Sequence, residues 1–346
     1  MVKRANGNRV GGRVTRCGVV VLALAAMMAI VGAQVRPAVS AVAKPDAGEA
    51  VACLGDVCAG MPDVARDAVK YLRVSEWVSV AGAKPPQGGP QPAVQAAAPG
   101  PRFGDWAGAP IRVIGLVPVA PDGSAAFKVP AGRAVFFQVL DENFMEVRRM
   151  RGRVAFKAGE RRGCVGCHEG SAQAAPAEAA KAAGRDPATP TAPPWGSAAV
   201  MDYETMIQPI LNRCCVRCHG EKKAKAGVDL SAKRDAAGFA QSYRTMFGIK
   251  PGQNVPVASD AEGREWYERV LKGFAPGQLV SVAGPLPAGG GPSHPRQFGS
   301  PQSQLILSLR APEHKKRVTL ERDEWLTLVT WVDANAPYAG AAEPRP

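Results

Sequence analysis

The chain has 346 residues, of which 46% are hydrophobic and 21% charged, enough apolar material for two modest domains. Its 38 glycines and 31 prolines predict folded pieces separated by loose segments. The net charge is +13, but five of the positive charges (Lys3, Arg4, Arg9, Arg13 and Arg16) fall in the first sixteen residues, leaving +8 for the rest. No basic stripe with interleaved aromatics is present, so no nucleic acid is expected, and a mildly positive surface suits an acidic redox partner.

The first element is a leader. Basic residues precede the apolar run GVVVLALAAMMAIVGA (18–33), which is short for a membrane span and ends in small residues. Residues 1–33 therefore read as an export signal cut after Ala33, and as a membrane anchor if it is left uncleaved. Either way the rest of the chain is placed outside the cytoplasm, in the periplasm or an equivalent compartment. Residues 34–50 form an Ala/Pro/Val stretch expected to be disordered. In CLGDVC, an exported chain makes a small Cys53–Cys58 disulfide plausible.

A β-rich domain is expected over 51–170. VKYLRVSEWVSV (69–80) alternates as a strand, and a Pro/Gly-rich loop follows at 83–101. Then IRVIGLVPV, SAAFKVP, AVFFQVL and EVRRMRGRVAF follow one another with Pro, Gly and Asp turns between them. Short strands at this spacing predict a small antiparallel sandwich. Residues 171–199 are Ala/Pro-rich and read as an interdomain tether.

The pattern turns helical over 200–340. DYETMIQPILNRC sets Tyr203, Met206, Ile207, Ile210 and Leu211 on one face, with Asp202 as N-cap. Near the end, Trp325, Leu328, Val329 and Val332 recur at helical spacing, with Thr319 as cap and Pro337 as stop. The fold class is thus α+β: a sandwich-like β-domain followed by a mainly α-helical, loop-rich domain.

Two Cys-x-x-Cys-His motifs carry the chemistry: Cys164, Cys167 and His168 at the end of the β-block, and Cys215, Cys218 and His219 after the first helix. One short turn can present both sulfurs to the vinyl groups of a haem while the histidine swings under the iron, and this spacing is the signature of c-type haem attachment. A four-thiolate zinc site leaves the two adjacent histidines unexplained in a chain with four histidines in all. A redox dithiol needs a βαβ setting that is absent. Two covalent c-type haems are therefore expected, with His168 and His219 as proximal ligands.

The ligand on the far side of each iron decides between electron transfer and catalysis. His314, just ahead of the last helix, is the candidate at the second haem, against a solvated histidine beside two lysines. His294 lies in a Gly/Pro loop. Met206 and Met246, and Met145 and Met150 for the first haem, are candidates that also fit core packing. Glu160 and Glu169 flank the first motif, and a surface role suits them better than proton transfer. Cys214 has no assigned role.

The stretch DYETMIQPILNRCCVRCHG, with AGVDLS and LTLVTWVDANAPYAG after it, resembles planctomycete-type cytochrome c domains. Residues 121–169, PDGSAAFKVPAGRAVFFQVLDENFMEVRRMRGRVAFKAGERRGCVGCHE, resemble the middle domain of hydrazine synthase alpha-subunit-like proteins, as does the opening DVCAGMPDVARDAVKYLRVSEWV. The resemblance implies two covalent haems, one on a β-domain and one on a helical cytochrome domain, and it favours His314 as a ligand. Relatives usually carry a large propeller-like domain ahead of this region, and hydrazine synthase has a tyrosine shortly after its first motif histidine. CHEGSAQAA (167–175) has none. The expected function is an exported di-haem cytochrome exchanging electrons with a redox protein. The alternative is a haem enzyme or enzyme subunit acting at an open first haem on a small nitrogen compound or peroxide.

Overall fold

The computed structural model describes residues 48–78, 110–164, 182, 184–235, 238–249, 265, 269, 277–283 and 293–338. The leader, the 83–101 loop and most of the stretch expected to be disordered lie outside them, as do Cys17, Cys167, His168 and Glu169. Among the described residues no helix is long and apolar enough to cross a membrane.

The fold is α+β. Among the described residues, seven strands of the N-terminal half form two sheets: β1 (Glu49–Leu54), β2 (Tyr71–Trp77), β3 (Ile111–Pro118), β4 (Ala125–Pro130), β5 (Val135–Leu140), β6 (Glu146–Arg149) and β7 (Arg161–Cys164). One sheet has the order β4-β1-β7, the other β3-β2-β5-β6. Alternation sets Ala50, Ala52 and Leu54 of β1 and Phe127 and Val129 of β4 toward Leu72, Val74, Phe137 and Val139 of the second sheet. Facing apolar rows of this kind make a sandwich.

Two expectations give way here. β1 starts at Glu49, inside the stretch read as disordered over 34–50, because its inward row of small residues completes the sandwich core. The sandwich is also not wholly antiparallel, since β7 runs parallel to β1, with Cys53 opposite Gly163 and Leu54 opposite Cys164.

The Cys53–Cys58 disulfide is corrected as well, for both thiols are free. Cys53 packs with Val51 and Ala126 on the outer face of β1, and Cys58 turns into the sandwich core. Alternation along β1 thus turns Cys53 to the outer face, away from the core that Cys58 enters from the following turn.

The second sheet is covered on its other face too. Ile111, Val113, Phe136 and Leu140 pack with Met201, Tyr203, Tyr243, Leu328 and Trp331 from the C-terminal half. That half contains α1 (Gln208–Cys214), α2 (Gln241–Met246), α3 (Gln304–Arg310), α4 (Pro312–Lys315) and α5 (Arg322–Asp333). Residues 184–199 do not hang free as the tether expected over 171–199. They run along both sheets, with Thr191 bridged to Leu116 and Ala188 to Phe127. Gly115 permits this approach, because a Cβ there would stand 2.5 Å from the Thr191 carbonyl oxygen.

Polar groups seal the same junction. Arg73 of β2, 1% exposed, reaches Asp333 of α5, 0% exposed, at 3.2 Å. Arg73 also donates to the Phe144 carbonyl at 3.0 Å, and Gln138 donates to the Asp333 carbonyl at 2.9 Å. Arg149 donates to Glu146 at 2.6 Å and to Asn335 at 2.8 Å. Buried charges in such numbers persist because each is paired and hydrogen-bonded.

Candidate functional site

The approach to the second motif is built as the sequence indicated, with one variation. Asp202 caps the segment, accepting from the Thr205 backbone N–H at 3.0 Å. The first turn, Tyr203–Ile207, is a π-helix that passes into α1 with Pro209 in its first turn. Tyr203, Ile207, Ile210 and Leu211 are buried in the core, while Met206 only packs against it. The motif sits on the turn that closes α1. The backbone N–H groups of Cys218 and His219 donate to the Cys215 carbonyl at 3.0 and 2.9 Å. One turn therefore gathers Cys215, Cys218 and His219. Gly220 lets the chain leave it, since a Cβ there would stand 2.7 Å from the Val216 carbonyl oxygen.

His314 comes to this turn from α4. Its ring centre lies 6.4 Å from that of His219, and the two planes differ by 11°. The intervening contacts pin the segments together. Arg213 Nε donates to Glu324 at 2.7 Å, Arg213 Nη2 to the Thr319 carbonyl at 3.4 Å, and Arg217 to the Arg317 carbonyl at 3.5 Å. Cys214 lies on the same seam, its sulfur 3.9 Å from the Thr319 carbonyl. Thr319 is thus an anchor for the motif helix rather than the cap of α5. The cap is Glu321, in a reciprocal capping box with Glu324.

The donor set can be tested against a metal group. A metal–imidazole bond of about 2 Å on each side, plus about 1 Å from each nitrogen to its ring centre, spans roughly 6 Å, so the His219–His314 separation leaves room for one metal ion between them. His219 Nδ1 is buried without a hydrogen-bond partner, a deficit that an added group can relieve. Among the described residues no three His, Cys, Asp or Glu side chains converge as a zinc site needs. Burial, with Cys214 and Cys218 adding to it, pushes the Cys215 thiol up to about 12. An open groove of about 420 Å³ beside Cys218 is lined by Arg217, Lys223, Ala224 and Lys225, complementary to the carboxylates of a haem. The residues present fit haem.

The first motif is described only at its start. β7 ends on Cys164, half-buried, whose carbonyl accepts from the Gly55 N–H at 3.0 Å. Glu160 accepts from the Lys157 backbone N–H and from Arg162, each at 2.7 Å. Those bonds hold its carboxyl below the usual range, the backbone bond first, so it stays ionised as a loop anchor. Met246 is fully buried in the core, Met145 is buried with its sulfur 3.3 Å from Arg310, and Met150 is half-buried against both cores. His294 is exposed in a turn, where its backbone N–H donates to Gln297 at 3.0 Å.

Comparison with known proteins bears on the β-domain. Residues 67–169 match the family model of the hydrazine synthase alpha subunit middle domain. This segment is hydrazine synthase alpha-like. Among solved structures, Kuenenia stuttgartiensis hydrazine synthase is similar at 16% identity and a TM-score of 0.48, over 86% of this chain and 44% of that one. The chain thus spans less than half the length of that protein. No curated protein matches. The hydrazine synthase alpha-like segment takes in β2 to β7 and the whole first motif, and it ends at Glu169. β1 lies ahead of it, yet pairs with β4 and β7 of the segment.

Proposed function

We propose that this chain is an exported di-haem c-type cytochrome that moves electrons to or from a redox protein. The observation that carries the reading is the pair of parallel imidazoles, His219 and His314, facing each other beside Cys215 and Cys218. In this reading Cys215, Cys218, His219 and His314 would hold the second haem. Cys164, Cys167 and His168 hold the first. A haem bound there supplies one-electron chemistry. The chain's own part at the second site would be to hold the haem with the His219 and His314 imidazoles and to set Arg217, Lys223 and Lys225 beside its carboxylates. Both histidines sit on segments fixed by hydrogen bonds, so their geometry need not reorganise when charge changes.

A second reading has support of its own. The hydrazine synthase alpha-like segment includes the first motif and stops directly after it. This favours a haem redox enzyme, or a subunit of one, with chemistry at the first haem and the second haem as its electron relay. Export follows from the leader, as does membrane anchoring where the leader is retained.

Both readings require two covalent haems. A pyridine haemochrome assay on exported protein should give two c-type haems per chain, and one or none refutes the architecture. The oxidised spectrum and carbon monoxide then separate the readings. Two low-spin irons indifferent to carbon monoxide support the carrier, whereas a carbon monoxide-binding iron lost in Cys164→Ala supports the enzyme.

A further inference from the structure

The surface around the His219–His314 pair carries positive charge drawn from two distant segments. Arg217, Lys222, Lys223 and Lys225 come from the loop after α1, and Lys315, Lys316 and Arg317 from the end of α4. All seven are exposed. The link from Arg217 to the Arg317 carbonyl, at 3.5 Å, joins the two groups into one face. Two of the nearby acids are already paired: Glu221 with Lys233, and Glu313 with Lys316. Lys222, Lys315 and Arg317 have no ion-pair partner among the described residues and stand outside the groove whose Arg217, Lys223 and Lys225 would meet the haem carboxylates. Cations left unpaired at this density repel one another, and an anionic partner would relieve that repulsion.

We propose that this face docks an acidic protein, which exchanges electrons with the chain at the second motif. The inference rests on the haem reading above and gives that reading a place of entry. A nucleic acid or a membrane surface would also meet a basic face. Single-stranded nucleic acid binding adds aromatic stacking platforms and interfacial membrane binding adds inserted apolar side chains to the charge attraction. The large hydrophobic side chain exposed among the described residues is Leu307 alone, which is not part of this face. An acidic protein needs no such platform, because charge steers it to the site and a small contact suffices for transient transfer.

The test uses the full-length haem-loaded protein and flavodoxin as the acidic probe, with binding read by titration calorimetry. Affinity should fall steeply between about 10 and about 300 mM salt. Lys222→Glu/Lys315→Glu should weaken binding at least about tenfold at low salt, and the milder Lys222→Gln/Lys315→Gln should weaken it less. Lys70→Glu/Lys157→Glu, the same charge change on the β-domain, should stay within about twofold. Equal binding by parent and Lys222→Glu/Lys315→Glu overturns the proposal. So does tighter binding of phosphatidylglycerol vesicles or single-stranded DNA than of flavodoxin. Haem content measured on the same sample keeps the two ideas apart. A haem-loaded chain that ignores flavodoxin refutes the docking face, and a haem-free chain that still binds it refutes the haem reading alone.

Discussion

The imidazoles of His219 and His314 lie 6.4 Å apart, centre to centre, with planes within 11° of each other. They come from segments that share no secondary structure, held together by Arg213, Arg217 and Glu324. Two ligands from two segments make a bond that one substitution can open without removing the haem. In haem-loaded protein, His314→Ala should turn one of the two irons high-spin and able to bind carbon monoxide, while haem content stays constant. Added imidazole should restore the low-spin spectrum. His294→Ala should change nothing, since His294 is exposed in its own turn. An unaltered spectrum in His314→Ala would remove it as a ligand.

The junction between the second sheet and α5 makes a separate prediction. Asp333→Asn or Arg73→Leu leaves one fully buried charge without its partner, which costs about 3–5 kcal/mol. Arg73→Met/Asp333→Leu removes both charges and should recover much of that loss. Urea unfolding followed by tryptophan fluorescence measures it. Because β2, β5 and α5 share this network, parent and variants should unfold in one transition. Separate transitions for sheet and helices would show that the network is not a structural bond between them.

How much of this was legible in the sequence depends on the range of the interaction. β2 and β4 could be read from alternation, and β3 and β5 because they are short runs of branched and aromatic residues bounded by turns. β1 could not, because its inward row includes Ala50 and Ala52, which look like the low-complexity stretch before them. β7 was hidden because RRGC has no apolar alternation and pairs only with a strand 110 residues away. The motif residues were visible from spacing alone. The Arg73–Asp333 pair was not, since 260 residues separate the partners and nothing local in either strand or helix demands a counter-charge. Cys214 shows its place on the Thr319 seam only once α1 and α5 are docked.

Cys53 and Cys58 should remain reduced thiols in the exported protein. Burial pushes both thiols up; Arg161 opposes this at Cys53, whereas Asp56 adds to it at Cys58 and Arg66 opposes it. A thiol raised in the folded state keeps its proton where the unfolded chain has lost it. Its contribution to stability is therefore complete below the ordinary thiol value of about 8.5 and is lost as pH rises beyond it. Iodoacetamide at neutral pH should label these two on the order of tenfold more slowly in folded than in unfolded protein. The Cys53→Ala/Cys58→Ala chain should lose less stability than the parent on going to alkaline pH. A mass two hydrogens short of the free-thiol value, localised to this peptide, would instead establish the disulfide.

The 184–199 segment should behave as part of the β-domain and not as a hinge. Thr191 exchanges both backbone hydrogen bonds with Leu116, at 2.8 and 2.9 Å, and Lys128 donates to the Ala188 carbonyl at 3.0 Å. Arg185 is held to Asp122 at 2.6 Å. Gly115 is the weak point of this docking, because any Cβ must push the Thr191 backbone outward by more than a side chain can absorb. Gly115→Ala should therefore free the segment while the sheet itself persists. Trypsin should cut after Arg185 slowly in the parent and on the order of tenfold faster in Gly115→Ala, with the far-ultraviolet spectrum nearly unchanged. The expectation follows from mass action: cleavage tracks the population of the locally opened state, and losing two backbone bonds at about 1 kcal/mol each shifts that population by roughly this factor or more. Rapid cutting of the parent at Arg185 would return the segment to the status of a tether.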